Sequence, residues 1–280
     1  MPLMPSLEFQ GNREELGSPT SSSRTIAFLS RNGIRLVEAD GTGSRRLTTG
    51  SLDRSAAWSP DGDVVAFVRG TSKGSGQLRI IGANGRHEHV LIDGWRGDEQ
   101  TWSPDGHSFA YYCQCDGSVH VMNVDGSDDV TITRSHATRE PAWSPDGSRI
   151  AYGVPVDRRF RIFIVNPDGT DATQVTQGSG SDAWPTWSSD GTRILFSRWH
   201  RGDGWDLYVQ GIGTSAVVRL TRTPNLSEIE ASWSPDGAQI AFIGSRPGAR
   251  RSYLYVISND GSGRTKVVEI QATEATWRPV

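Results

Sequence analysis

The chain has 280 residues, of which 35% are hydrophobic and 22% charged, a globular rather than a disordered composition that fills one large domain or two small ones. A net charge of −3 argues against the concentrated basic face that nucleic acid demands. No stretch approaches the ~20 apolar residues of a bilayer-spanning helix.

In chain order, residues 1–23 lack the basic and apolar regions of a signal peptide and read as a flexible tail. Two strand-like runs follow, Thr25-Ile26-Ala27-Phe28 and Ile34-Arg35-Leu36-Val37, then the turn Asp40-Gly41 and the run Arg46-Leu47-Thr48. From there a motif recurs: Trp58-Ser59-Pro60-Asp61-Gly62, Trp102-Ser103-Pro104-Asp105-Gly106, Trp143-Ser144-Pro145-Asp146-Gly147, Trp187-Ser188-Ser189-Asp190-Gly191 and Trp233-Ser234-Pro235-Asp236-Gly237. A truncated copy, Trp277-Arg278-Pro279, ends the chain, and the successive Trp lie 44, 41, 44, 46 and 44 residues apart. That period suits four short strands with their turns, one propeller blade. Pro presets the first corner of each turn, Asp bonds back to the backbone and Gly takes the positive φ.

After each turn comes an apolar run, such as Val64-Val65-Ala66-Phe67 or Ile240-Ala241-Phe242-Ile243. Such runs suit strands buried on both faces. A third strand is expected at 119–124, 161–165, 207–210 and 253–257, and then a polar fourth such as Arg219-Leu220-Thr221. The N-terminal runs lack a preceding Trp, and the last Trp lacks its following strands, so the two ends complete one blade together. The expectation is an all-β fold: a six-bladed β-propeller over residues 24–280, four antiparallel strands per blade, its ring closed by pairing the N-terminal strands with the C-terminal strand.

The innermost strands end at the repeated Trp and line the channel. Three positions before each Trp stand Ser55, Glu99, Glu140, Trp184, Glu230 and Glu274, with Ser55 and Trp184 three blades apart. These form a candidate acidic collar at the channel mouth, with Trp199 on a loop reaching the same mouth. Asp53, Asp98, Asp182 and Glu228 lie nearby, offset in part by Arg54 and Arg139. Such a collar suits a basic or N-terminal peptide segment or a divalent cation. The alternative is architecture: carboxylates accepting strand-end N–H groups, or ion pairs of Arg31 with Glu274 and Arg246 with Glu230. The repeated Trp read as blade packing.

Catalytic signals are weak. Gly70-Thr71-Ser72-Lys73-Gly74 matches the nucleophile-elbow pattern without the strand-to-helix setting it needs. Among six His there is no H-E-x-x-H, and the one metal combination at the mouth is Glu99, Glu140 and His136. Cys113 and Cys115 read as two small packing residues, too close in sequence for an easy disulfide and too few for a Cys-based zinc site.

The pattern Trp-Ser-Pro-Asp-Gly-x-x-Ile-Ala-Phe, an aromatic third strand, an Asp-Gly turn and a Leu-Thr ending resembles the repeat of the TolB-like propellers over residues 24–280. The same repeat occurs in propellers of prolyl-oligopeptidase-like peptidases and in oligogalacturonate lyases. The separate N-terminal α/β domain of the envelope-system members is not seen, so the resemblance implies a TolB-like propeller rather than that complete protein. It implies a non-enzymatic, monomeric module that binds a protein or peptide at its mouth, with no cofactor beyond a possible divalent cation. The other reading is a metal-assisted lyase or hydrolase acting on carbohydrate in the channel, although no metal-binding His cluster can be assembled. The resemblance places the protein in the periplasm or outside the cell, with the cytoplasm as the alternative.

Overall fold

A computed structural model describes residues 24–71, 76–133, 138–249, 251–270 and 274–279. The tail 1–23, His136, and Ser72 to Gly74 of the elbow-like pattern lie outside them. The described strands form six four-stranded antiparallel sheets in a ring, as the repeat period requires. Blades 2 to 6 each use four consecutive strands, and their innermost members are Asp53–Trp58, Gly97–Trp102, Arg139–Trp143, Ser181–Trp187 and Ser227–Trp233. Blade 1 is composite. Its inner strand Ala275–Trp277 pairs with Thr25–Ser30, in the register Ile26 to Trp277 and Phe28 to Ala275, so the sheet is assembled from both ends of the chain.

Burial follows the predicted pattern. The second strand of each blade is covered on both faces, with Phe28, Phe67, Phe109, Phe196 and Phe242 almost wholly inaccessible. Six apolar clusters hold the molecule, and each joins two neighbouring blades. One packs Ile26, Phe28 and Trp277 of blade 1 against Ala241, Ile243 and Leu254 of blade 6. Another packs Ile34, Leu36 and Ala27 of blade 1 against Trp58, Val65 and Phe67 of blade 2. Burying a Phe of this kind stabilises by about 1.5–3 kcal/mol, so the interfaces between sheets supply most of the cohesion.

Two recurrent side-chain devices supplement the sheets. In each Ser-x-Asp-Gly turn the Ser hydroxyl donates to the Asp carboxylate, at 2.5 Å for Ser103 to Asp105 and 2.6 Å for Ser144 to Asp146. The Leu-Thr ending behaves differently from the expectation. The fourth strand of blade 5 is Val217–Arg219, two residues earlier than predicted. Leu220 and Thr221 instead fold back, with Thr221 Oγ1 accepting the Leu207 N–H at 2.9 Å. Thr48, Thr133 and Thr176 do the same for Ile34, Val119 and Ile162. A hydroxyl thus satisfies a buried N–H beyond the last ladder bond.

One expectation is overturned. Cys113 and Cys115 form a disulfide. Two residues apart on an extended strand they would stand about 6.7 Å apart at Cα. Cys113 ends a strand, however, and Cys115 lies in the turn that reverses it, which brings the Cα atoms to 5.2 Å, within the span of a normal bridge.

Candidate functional site: a carboxyl collar around the pore

The inner strands carry a shared irregularity. Pairing with the second strand slips between Arg54 and Ala57, and again at the matching positions of blades 3 to 6. The collar residue sits at the slip, and all six collar residues have positive φ: 55° at Ser55, 54° at Glu99, 58° at Glu140, 52° at Trp184, 52° at Glu230 and 86° at Glu274. A left-handed conformation at a non-glycine residue costs about 1–2 kcal/mol, so each bulge needs compensation.

Compensation comes from the neighbouring blade. The bulge frees the collar residue's N–H, which donates to the collar side chain of the preceding blade. Glu99 N–H donates to Ser55 Oγ at 3.3 Å, and Glu140 N–H to Glu99 Oε2 at 2.8 Å. Trp184 N–H donates to Glu140 Oε2, and Glu274 N–H to the Glu230 carboxylate. The Glu274 carboxylate accepts from Ser55 N–H and, at 3.2 Å, from Ala56 N–H. Five of the six links around the pore are closed in this way. The sixth, from blade 6 to blade 5, is open because the Trp184 indole has no acceptor.

The electrostatics differ sharply between the collar and the acids beside it. Asp53 is bound by Arg69 at 2.6 Å, Asp182 by Arg198 at 2.5 Å and Asp98 by Arg54 at 3.0 Å. Glu228 accepts from Thr221 and faces Arg264 at 3.4 Å. These four are strand-start ion pairs and hydrogen-bonded anchors. The collar Glu side chains have no such partner, and among the described residues neither Arg31 nor Arg246 pairs with Glu274 or Glu230. Burial raises the Glu140 carboxyl to about 8, reinforced by the charge of Glu99. Burial likewise raises Glu274 to about 7, and pushes Glu230 well above the usual range with Glu274 and Glu140 adding repulsion across the pore. Glu99 is raised too, mainly by burial. One Glu230 oxygen, Oε2, is buried without a hydrogen-bond partner among the described residues.

The aromatic residues of blade 5 flank this collar. Trp184 and Trp205 meet edge-to-face at 5.0 Å, and Trp199, opposite Trp205 in the register, is 43% exposed. Across the ring, in blade 2, Leu52 is 58% exposed just before the inner strand. In blade order Ser55 and Trp184 stand opposite each other around the ring, with Glu99 and Glu140 on one side and Glu230 and Glu274 on the other. Of the proposed metal candidates, Glu99 and Glu140 each have one oxygen committed to a backbone N–H.

Sequence reasoning identified the collar positions but not the bulge or the links between blades. The signal was the recurrence of Glu three positions before the Trp, with a small residue always one position before it. A closed ring of six sheets around a carboxyl-lined pore defines a β-propeller whose blades are tied together at the axis by side chains. The family described as the TolB beta propeller domain matches residues 118–280, and the chain belongs to that family. It is 28% identical over 102 residues to the Tol-Pal system protein TolB of Francisella tularensis subsp. mediasiatica (strain FSC147), a match covering 36% of this chain and 23% of that protein. The match thus spans less than a quarter of that curated relative. Among solved structures, TolB from Acinetobacter baumannii superposes with a TM-score of 0.80 at 22% identity, covering 92% of this chain and 67% of the other. An oligogalacturonate lyase in complex with manganese superposes with a TM-score of 0.58 at 12% identity, covering 90% of this chain and 76% of the other. These structural likenesses speak for the fold alone.

Proposed function

We propose that the chain is a non-enzymatic binding module that seats a protein or peptide on the collar face, with a cationic group of that partner entering among the carboxyls. The observation that carries this reading is Glu230 Oε2, a buried carboxyl oxygen with no hydrogen-bond partner among the described residues and with other carboxyls around it. An ammonium or guanidinium group supplies the missing donor and relieves the repulsion that raises the neighbouring carboxyls. Trp199 and Leu52, exposed on opposite blades, offer apolar contacts for the flanking chain of a peptide. Likeness to a protein named for the Tol-Pal system supports a partner that is itself a protein. The same family likeness supports the periplasm, and the Cys113–Cys115 disulfide agrees with an oxidising compartment.

A library of short peptides displayed with free N-termini tests the reading. Wild type should enrich basic or N-terminally cationic sequences, with affinity rising between pH 6 and 8 as the collar ionises. Glu230→Gln and Trp184→Ala should each weaken the selected peptide by about tenfold or more. Undiminished capture by Trp184→Ala would move the binding surface to the outer rim.

A further inference from the structure

Away from the pore, the hairpin between the second and third strands of blade 3 gathers four groups of metal-ligating chemistry. Cys113 ends the strand Ser108–Cys113, Cys115 and Asp116 form the turn, and His120 lies on the strand Ser118–Asn123. One ligand atom from each, two Sγ, a carboxylate oxygen and an imidazole nitrogen, lies within 4.8 Å of all the others. The turn is fixed locally. Gly117 takes φ 76°, its N–H bonds to the Cys113 carbonyl at 2.9 Å, and the Ser118 N–H bonds to Asp116 Oδ1 at 3.0 Å.

His120 is held from behind in the manner of a metal ligand. Its Nδ1 faces Asp129 Oδ1 at 3.1 Å, and that same oxygen accepts the Tyr111 hydroxyl at 2.9 Å. A carboxylate only accepts, so Nδ1 carries a proton and Nε2 is the nitrogen presented to the cluster. A carboxylate behind a histidine that faces a metal is the usual orienting device of such sites. Nε2 faces Asp116 Oδ2 at 3.1 Å and the Thr131 hydroxyl at 3.2 Å. The Cys115 N–H points at Cys113 Sγ at 3.2 Å, a donor that stabilises thiolate. His120 and Cys113 are buried, while Cys115 and Asp116 open to solvent, so an ion has a route in.

We propose that this hairpin is a redox-gated site for a thiophilic divalent cation of the zinc class, bound by Cys113, Cys115, Asp116 and His120 when the disulfide is reduced and excluded when it is closed. A dithiol reductant supplies two electrons and two protons, the Cys113–Cys115 S–S bond breaks, and the reductant leaves as its own cyclic disulfide. The two thiols release their protons to water as the cation binds, and His120 Nε2 and Asp116 Oδ2 exchange their contact with each other for contacts to the cation. Two sulfurs, one nitrogen and one oxygen suit a tetrahedral zinc ion. Asp129 is a positioning residue that acts through His120.

The experiment uses the full chain, reduced by a dithiol under nitrogen, freed of reductant and equilibrated with zinc chloride. Expected are about one zinc retained per chain after gel filtration, both thiols protected from an alkylating reagent, and almost no zinc on the oxidised chain. Cobalt in place of zinc should show thiolate-to-metal charge transfer and a tetrahedral ligand-field spectrum. Cys115→Ser and His120→Gln should abolish retention. Asp129→Asn should weaken affinity about 10–100-fold while keeping the cobalt spectrum. Asp116→Asn, at an exposed turn position, provides a variant whose fold is checked by circular dichroism should the buried substitutions unfold. No zinc on the reduced chain, zinc retained equally by Cys115→Ser, a cobalt spectrum without thiolate character, or a pair that resists reduction in the folded protein would each overturn the proposal.

Discussion

In blade 4, Asp146 and Glu140 flank the same short inner strand and behave as opposites. Asp146 accepts from the Ser144 hydroxyl, the Ser148 N–H and the Ser148 hydroxyl, and these bonds hold its carboxyl down at about 2. Glu140 has one backbone N–H from Trp184, a carboxylate neighbour in Glu99 and little water, and stands at about 8. The turn acids Asp105, Asp146, Asp190 and Asp236 are held below the usual carboxylate range by their turn donors, whereas burial raises all four collar Glu. The difference lies in donor supply rather than residue type: the turn offers Asp146 three donors, and the bulge offers Glu140 one.

Truncation breaks the comparison most severely. Glu140→Ala should leave the Trp184 N–H without an acceptor and lower unfolding free energy by about 1–3 kcal/mol in denaturant titration. Glu140→Gln keeps the acceptor and removes the repulsion, so it should be near neutral at pH 5 and stabilising at pH 8. A result in which both variants are equally destabilised would reduce Glu140 to its packing role.

The pH dependence sharpens it next. Folded Glu140 and Glu274 hold protons to about 8 and 7, whereas the unfolded chain loses them near 4.5. The folded state therefore binds more protons between these values, and stability should fall as pH rises from 5 to 8 and level off above. Asp146 has the opposite sign. Its contribution is present above the unfolded value of 3.8 and is lost as pH falls toward about 2. Melting temperature should accordingly peak near pH 5, and Glu140→Gln should flatten only the alkaline limb.

Smaller effects remain. Asp146→Ala should cost about 1 kcal/mol by undoing one turn, with no change in the alkaline limb. Trp184→Glu should close the open link in the collar yet add a fifth carboxyl, leaving stability at pH 5 little changed and steepening its loss toward pH 8.

The blade count, the composite first blade and the collar positions were legible because each rests on a repeated local signal: a Trp, a Ser-Pro-Asp-Gly turn, a Glu in register. The bulge was not, since positive φ is usually announced by Gly or Asn, and here Ser, Glu and Trp adopt it on the strength of a bond from another blade. The Leu-Thr ending was read as strand because its Thr has β propensity, whereas its hydroxyl is what the fold uses. The cysteine pair was misjudged by treating both residues as strand. The Gly117 turn places them close, and it also returns His120 to their side, which spacing alone does not reveal.

The seam in blade 1 has a consequence for how the molecule comes into being. Thr25–Ser30 emerges from the ribosome with its inner neighbour, Ala275–Trp277, still five sheets away. Until that partner arrives the leading strand exposes an open hydrogen-bonding edge and its half of the apolar interface with blade 6, so the growing protein is an unfinished arc. A graft that joined residue 279 to residue 24 and opened the chain between two blades, as between Val217–Arg219 and Ser227–Trp233, would give every blade contiguous strands, and should close sooner and aggregate less.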